Sequence, residues 1–426
     1  MIRFNGILIV LASFTWTGIA ESAPADSAIL LIGDGMGISH VTAARIFQKN
    51  ARDGVLELDS FENVALVRTY SSDMTVTDSA AAATALATGQ KTRYGSAGVD
   101  ADGNDLMTVL ERAKEAGKSV GIVTTARVTH ATPAAFYAHV RDRDDEATIA
   151  SQLLDYGKID LVLGGGREFF LPEDTKDEEA RRDGSREDGR NLLPEAEQKG
   201  YSVIHRESDF LELREKIGKD SFPEKVLGLF NFSKMEYVFR RKNDRWGEPS
   251  LAEMTQFAVD VLGQNPKGFF LMVEGALIDH ASHENWGRVA LEEVLSFDEA
   301  VGVARRYQAE HPKTLVVATA DHETGGLAIN GYTPVETGGE DLFTTVPAGT
   351  VPQVLSFSSG AGAKRRDGDK PSFSPGYRQP ALHAVDGSVH TGEDVLAWAA
   401  GPGAEAIRGT MENSEVGQAI LDALFD

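Results

Sequence analysis

The stretch Ala28-Ile29-Leu30-Leu31-Ile32-Gly33-Asp34-Gly35-Met36-Gly37 decides the fold. Five apolar residues in a row, with no polar alternation, describe a strand buried on both faces, as in a parallel sheet covered by helices. The run stops in a glycine-rich turn with an aspartate at its carboxyl end. In open α/β sheets that edge is where ligands bind. The glycines have something of a dinucleotide-binding loop, but an acidic residue interrupts the fingerprint. Asp34 would repel phosphates unless a cation intervened. A metal ligand accounts for it better than a turn-forming aspartate does.

The same pattern recurs outward along the chain. Val120–Thr125 reads as a strand leading to His130-Ala131-Thr132-Pro133. Asp160–Gly166 is a strand closing in a glycine turn. Gly268–Val273 runs into Glu274 and then Asp279-His280-Ala281-Ser282-His283, and Thr314–Ala320 ends in Asp321-His322. His390 precedes a last strand over Val395–Ala400. Helical periodicity is expected over 104–117, through Ala134 and His139, from Val289 to Val301, and from Ser414 to Leu424. The fold class is therefore α/β, a central and mostly parallel sheet with helices on both faces. Residues 24–426 are expected to form one domain, with a middle insertion at about 167–250. A second, small irregular or β insertion spans about 331–389 and is rich in Gly, Pro, Ser and Thr.

A second decisive stretch is Thr77-Asp78-Ser79-Ala80-Ala81-Ala82-Ala83-Thr84-Ala85. Alanine and leucine favour a helix over 80–88, and Gly89 stops it. Ser79 then lies at the helix N-terminus, where free N–H groups and the helix dipole favour negative charge. Asp78 or Ser79 serves as a plain cap unless the rest of the chain supplies partners for a nucleophile.

The composition sets bounds. The 426 residues carry a formal net charge of −23 and contain no cysteine. Nucleic-acid recognition is excluded as a function, because it needs a basic surface. Disulfides, thiolate zinc sites and a cysteine nucleophile are excluded as well. A site for an anionic substrate must make its own positive field from metal ions or arginine. Residues 1–23, one arginine followed by a short apolar run and small residues, read as a secretory signal peptide. No other stretch is apolar enough to span a membrane. The mature protein is expected to be periplasmic or secreted.

Strand after strand thus ends in a carboxylate or a histidine. Any one of these could cap a helix or face solvent. Gathered at one sheet edge they form a cluster of like charge that metal ions would neutralise. Aspartate with histidine suits zinc when cysteine is absent. Oxygen groups such as Thr132 and Glu274 suit a hard ion such as magnesium. Asp34 has two oxygens and could bridge two ions. Two metals about 4 Å apart are the usual clamp for displacement at phosphorus.

With these motifs in order, the sequence resembles the alkaline phosphatase family from about residue 27 to the C-terminus. The Asp78-Ser79 motif and the loops at Asp34, Glu274 to His283, Asp321-His322 and His390-Thr391-Gly392 carry the resemblance. The middle segment, with Gly228-Leu229-Phe230 and Met254-Thr255, is similar to the animal branch. The resemblance implies that Ser79 is a nucleophile that becomes a phosphoserine. It implies a first zinc on Asp279, His283 and His390, which activates water in the second step. A second zinc, on Asp34, Asp321 and His322, would hold Ser79 as alkoxide. Magnesium would sit on Asp34, Thr132 and Glu274. Arg143 would clamp two phosphate oxygens, a task for a planar guanidinium. Arg141 is its local competitor and otherwise a surface charge. Asp78 is expected to position Arg143.

His130 and His280 stand where some bacterial members have Asp and Lys; both are expected beside the metal-bound water or phosphate. His130 could favour zinc over magnesium at the third position. Asn231 replaces an acidic calcium ligand of animal members and leaves Glu248, so calcium is not predicted. His40, His139, His205, His311 and His383 match no motif and are assigned to surface or core roles. The implied activity is hydrolysis of small-molecule phosphate monoesters, with broad specificity and an alkaline optimum, in a homodimer. The rivals are a phosphodiesterase or sulfatase of the same superfamily, or a non-catalytic exported protein that binds metal or phosphate.

Overall fold

The computed structural model describes residues 24–49, 54–220, 222–330, 354–364 and 374–426. The expected signal peptide lies outside the described residues. Eight strands up to residue 319 form most of the central sheet: β1 (Ser27–Gly33), β2 (Asn63–Arg68), β3 (Ser119–Arg127), β4 (Leu161–Gly165), β5 (Tyr201–Ile204), β6 (Lys225–Leu229), β7 (Phe269–Gly275) and β8 (Thr314–Thr319). Among the described residues the sheet has 10 strands, in the order Gly409–Glu412, β2, Val395–Ala400, β8, β1, β7, β3, β4, β6, β5. Only Val395–Ala400 runs against the rest, antiparallel to both β2 and β8.

β1 lies between β7 and β8, with Leu31 opposite Val273 on one side and Ala318 on the other. Every residue of β1, β7 and β8 is buried. Each large apolar side chain so removed from water stabilises the fold by roughly 1.5–3 kcal/mol. That burial needs cover on both faces. The helices Ile38–Lys49, Leu251–Leu262 and Gly287–Glu310 pack together on one face, and Ser79–Thr88, Val109–Glu115 and Asn413–Phe425 on the other.

Three segments depart from the periodicity. The helix read over 104–117 covers Val109–Glu115, because Thr108 caps it and Glu111 completes a capping box. The helix expected through Ala134 to His139 is one turn, Ala131–Ala134. Beyond it the chain is drawn off by other partners: His139 N donates to Gln152 Oε1 at 2.7 Å, and Val140 pairs with Ala97. The middle segment does more than sit on the core. It contributes β5 and β6, which extend the sheet beyond β4. Of the second insertion, the described part forms a three-stranded sheet of Ala328–Ile329, Leu355–Gly360 and Ala381–Ala384.

Glu293, on the helix Gly287–Glu310, ties the middle segment to the core by accepting a hydrogen bond from Val238 N at 2.7 Å. Burial pushes its carboxyl from 4.5 up to about 7. The folded state then holds a proton that the unfolded chain has lost, so stability falls as pH rises from about 4.5 through 7. Glu293→Gln keeps an acceptor and removes the charge. We expect it to be more stable than the parent by roughly 1–3 kcal/mol at pH 8 and nearly equal at pH 4.5. Denaturant melts at the two pH values check this.

Candidate metal centre

Parallel strands bring their carboxyl ends to one edge, and the predicted residues meet there. Asp34 directly follows β1. Glu274 is the penultimate residue of β7, opposite Ile32 of β1 and Thr124 of β3. Asp321 and His322 lie just beyond β8. Asp279 and His283 are one turn apart on the helix Leu277–His283. His390 is brought in by a route that periodicity does not show. It pairs with Thr324 in a two-stranded antiparallel ladder directly after His322.

Among the described residues the candidate ligand atoms fall into three sets: Asp279, His283 and His390; Asp34, Asp279 and His322; and Asp34, His130 and Glu274. Within each set they lie no more than 4.8 Å apart. Ligands around one zinc at about 2.0–2.2 Å span up to about 4.4 Å, so the sets are close to the size of an ion's shell. Asp321 joins the second set, with Oδ2 at 3.3 Å from His322 Nε2, while Asp34 Oδ1 is 3.5 Å from the same nitrogen. Thr132 places a buried hydroxyl near the third set, on the short helix that follows His130.

The outer atoms of these groups are tied down. His283 Nδ1 lies 2.5 Å from Ser388 O, and His390 Nδ1 lies 3.0 Å from Thr77 O, which leaves each Nε2 facing Asp279. Asp321 Oδ1 accepts from Gly35 N and His322 N at 3.1 and 2.9 Å. Thr124, which sequence reasoning passed over, donates its hydroxyl to Glu274 Oε2. The inner atoms have no such partners. Both oxygens of Asp34, Glu274 Oε1, Asp321 Oδ2 and Thr132 Oγ1 are buried without a hydrogen bond. Buried polar atoms are rarely left so. Five inward-facing oxygens fit cations at this position.

The electrostatics agree. Burial, then repulsion from Asp321, Asp279 and Glu274, pushes Asp34 well above the usual carboxylate range. Burial pushes Glu274 up to about 7 and Asp321 to about 8. Burial acts on Asp279 too, but His283, His390 and His322 together hold it well below its ordinary value. Burial followed by the Arg143 charge keeps His130 low, and burial with His390 does the same for His322. Both shifts favour the neutral imidazole, the form that binds metal.

Ser79 opens the helix Ser79–Thr88, and its Oγ is 3.2 Å from His322 Nε2. Asp78 has two tasks. It is the N-cap, accepting from Ala80 N at 3.3 Å and Ala81 N at 3.2 Å. It also pairs with Arg143, whose Nη1 is 2.9 Å from Oδ2. Gly95 joins the two, donating its N–H to Asp78 Oδ1 at 3.0 Å and accepting from Arg143 N at 2.8 Å. Nothing in the sequence marks Gly95. Arg143 Nη2 is 3.3 Å from His130 Nε2, and the His280 ring lies 5.6 Å from that of His130. Arg141 points away, donating to the carbonyl of Asp102 on the surface. In the middle segment Asn231 Nδ2 donates to Glu248 Oε1 at 2.7 Å, so the amide directs a donor at the carboxylate.

A serine at the positive end of a helix, beside carboxylates that call for cations, defines a class: metal-assisted transfer of an anionic group. The family model for alkaline phosphatase matches residues 25–425. An alkaline phosphatase of Gadus morhua is 36% identical, covering 94% of this chain and 91% of its own length. The tissue-nonspecific isozyme of Rattus norvegicus is 37% identical, covering 92% of this chain and 82% of its own. Among solved structures, Thermus thermophilus alkaline phosphatase superposes with a TM-score of 0.73 at 29% identity, over 98% of this chain and 96% of its own. The cold-active enzyme of a psychrophilic Shewanella species gives 0.71 at 31% identity, over 94% of this chain and 100% of its own. The chain belongs to the alkaline phosphatase family, and it is a metal-dependent hydrolase of phosphate monoesters.

The two tasks of Asp78 can be separated. Asp78→Asn keeps one capping oxygen but turns its amide N–H groups toward Arg143 Nη1 and Ala80 N, so it should cost about 1 kcal/mol while inorganic phosphate binds roughly 10-fold more weakly. Asp78→Ala should lose the cap as well, about 1 kcal/mol more. Thermal melts and phosphate inhibition constants distinguish the two variants.

Proposed function

We propose that Ser79 is the nucleophile, that the three ligand sets hold two zinc ions and one magnesium, and that Arg143 binds the phosphate. The observation that carries this reading is Ser79 Oγ at the helix N-terminus, 3.2 Å from His322 Nε2. In the first step the Oγ–P bond forms as the ester O–P bond breaks in line, and the alcohol departs. In the second, water attacks the phosphoserine, phosphate leaves and Ser79 is restored. Bound ions supply charge neutralisation, a lowered pKa for Ser79 and for water, and a hold on the leaving oxygen. Asp279, His283 and His390 would hold one zinc, and Asp34, Asp321 and His322 the other. Thr132 and Glu274 would join Asp34 on the third ion. The chain's own contribution to the transferring group is positional. Asp78 and Gly95 fix Arg143, whose guanidinium can take two phosphate oxygens. Asp78 takes the N–H groups of Ala80 and Ala81, and its carbonyl takes that of Ala82, so the helix dipole at Ser79 is what favours the remaining negative charge.

No shaped apolar pocket for the leaving group enters this scheme, which supports broad specificity. Activity at alkaline pH accords with a need for deprotonated oxygen nucleophiles. A second copy of the chain is the partner that the family suggests. Among the described residues no helix is long and apolar enough to cross a membrane. Export to the periplasm or medium rests on the apolar run within residues 1–23.

Ser79→Ala should reduce monoester turnover by at least about 10³-fold, as loss of a covalent nucleophile does. Acid quench of the parent with labelled monoester should leave label on Ser79. Unchanged turnover in Ser79→Ala would overturn the assignment, and faster hydrolysis of a diester or sulfate ester would favour the rival activities.

The third ion is where this chain's donors matter most, because His130 lies within reach of Asp34 and Glu274. The alkaline phosphatase of the Antarctic bacterium TAB5 has been solved as a histidine-to-aspartate variant with Mg bound in the M3 site. In this chain His130→Asp would turn the third set into oxygen donors alone, the preference of a hard ion. The ratio of magnesium to zinc retained after dialysis against both should rise. An unchanged ratio would remove His130 from the third position.

A further inference from the structure

Behind the metal ligands lies a buried group of polar side chains that the catalytic scheme does not use. Glu323 follows His322 directly, yet its carboxylate turns away from the metal sets and is 0% exposed. It accepts from Leu327 N at 3.0 Å through Oε1, and through Oε2 from Gly326 N at 2.9 Å and from the hydroxyl of Thr391 at 2.6 Å. Thr391 is the residue after His390, and it faces Glu323 across the short ladder that aligns His390 with Thr324.

On its other side Glu323 meets His40, with 3.8 Å between Oε1 and Nδ1, a contact beyond hydrogen-bond length. His40 is itself 0% exposed, and its Nε2 is 2.9 Å from Ser282 Oγ. Ser282 immediately precedes His283 and also donates to Ile278 O at 2.8 Å. His40 N in turn donates to Gly37 O, in the loop that carries Asp34. Room for Glu323 depends on Gly37, where a Cβ would come within 2.1 Å of Glu323 Cγ. Four ligand-bearing segments therefore meet on one buried group: the loop of Asp34 through Gly37 and His40, His283 through Ser282, His322 through Glu323, and His390 through Thr391.

We propose that Glu323, His40, Thr391 and Ser282 form a positioning network that sets the three zinc-binding histidines relative to one another. The inference rests on the reading of His283, His322 and His390 as zinc ligands. A buried carboxylate is a costly way to hold a turn, and it is retained when fully hydrogen-bonded. Glu323 meets that condition through three donors. Its removal would leave the backbone donors of Gly326 and Leu327 unpaired and free the ladder that carries His390. Groups hydrogen-bonded directly to metal ligands are commonly worth about 10–100-fold in metal affinity, and a network that fixes the backbone carrying those ligands acts at the lower end of that range.

The test is equilibrium zinc affinity of the full chain, stripped of metal and titrated against a competing chelator. Apo-protein thermal melts run alongside. Glu323→Gln and Thr391→Val should each weaken zinc binding by about 10-fold or more, while Thr391→Ser, which restores the hydroxyl, should bind as the parent does. Thr391→Val is isosteric and keeps the test alive if Glu323→Gln does not fold. Affinity within about 2-fold of the parent in folded Thr391→Val, or a loss that Thr391→Ser fails to restore, overturns the network. If the parent chain itself binds no zinc, the metal reading fails instead, so the two failures are distinguishable.

Discussion

Repulsion among buried carboxylates is the constraint on which the rest of this structure depends. Asp34, Glu274, Asp279 and Asp321 share one desolvated sheet edge, and the first, second and fourth are 0% exposed. Water cannot screen them there, and five of the oxygens in or beside the cluster lack any hydrogen bond. A carboxylate cluster of this kind is tolerable only if protons or cations neutralise it. Burial, with repulsion among neighbours, raises Asp34, Glu274 and Asp321 above the ordinary carboxylate range, which expresses that demand. The same demand, met by cations, becomes a strong local positive field in a protein of net charge −23. That field is what a phosphate ester needs.

The fold supplies the edge. Nine strands running one way deliver nine carboxyl ends to the same side. The apolar strands β1, β7 and β8 are rigid because both faces are covered. Residues at their ends are therefore placed by the core and not by loops. The serine arrives by a different means. Asp78 caps the helix Ser79–Thr88 and so sets Ser79 at its N-terminus, beside the cluster. The helix cap and the ion pair with Arg143 are one arrangement here. The carboxylate that satisfies the helix also holds Arg143.

Much of this was legible in the sequence because it depends on short-range chemistry. Uninterrupted apolar runs ending in Asp34, Glu274 and Asp321 announce both the parallel sheet and the edge on which it acts. The Asp-Ser-Ala run gives the helix and its start, and Gly89 its end in a left-handed turn, with φ of 72°. What stayed hidden depends on pairing between distant segments. That His390 adjoins His322 follows from a ladder of two residues, too short for any periodicity. Gly95, Thr124 and Glu323 act through hydrogen bonds to residues far along the chain or across a turn, and their types are unremarkable where they stand. The middle segment reads as an insertion packed on the core, because its apolar runs are too short to carry a period that assigns them to the sheet. Yet Tyr201–Ile204 and Lys225–Leu229 complete that sheet. His40, which matches no motif and reads as a surface or core residue, is buried, and its Nδ1 faces Glu323 without a hydrogen bond.

The account turns on cations at the carboxylate edge, and metal content read against activity tests it most directly. Purified without chelators, the protein should retain about three divalent ions per chain, two zinc and one magnesium, as a two-metal clamp with a hard-ion site requires. Chelation should abolish phosphatase activity, and zinc with magnesium should restore it. Full activity in a protein that elemental analysis shows to be free of metal would contradict the account at its centre.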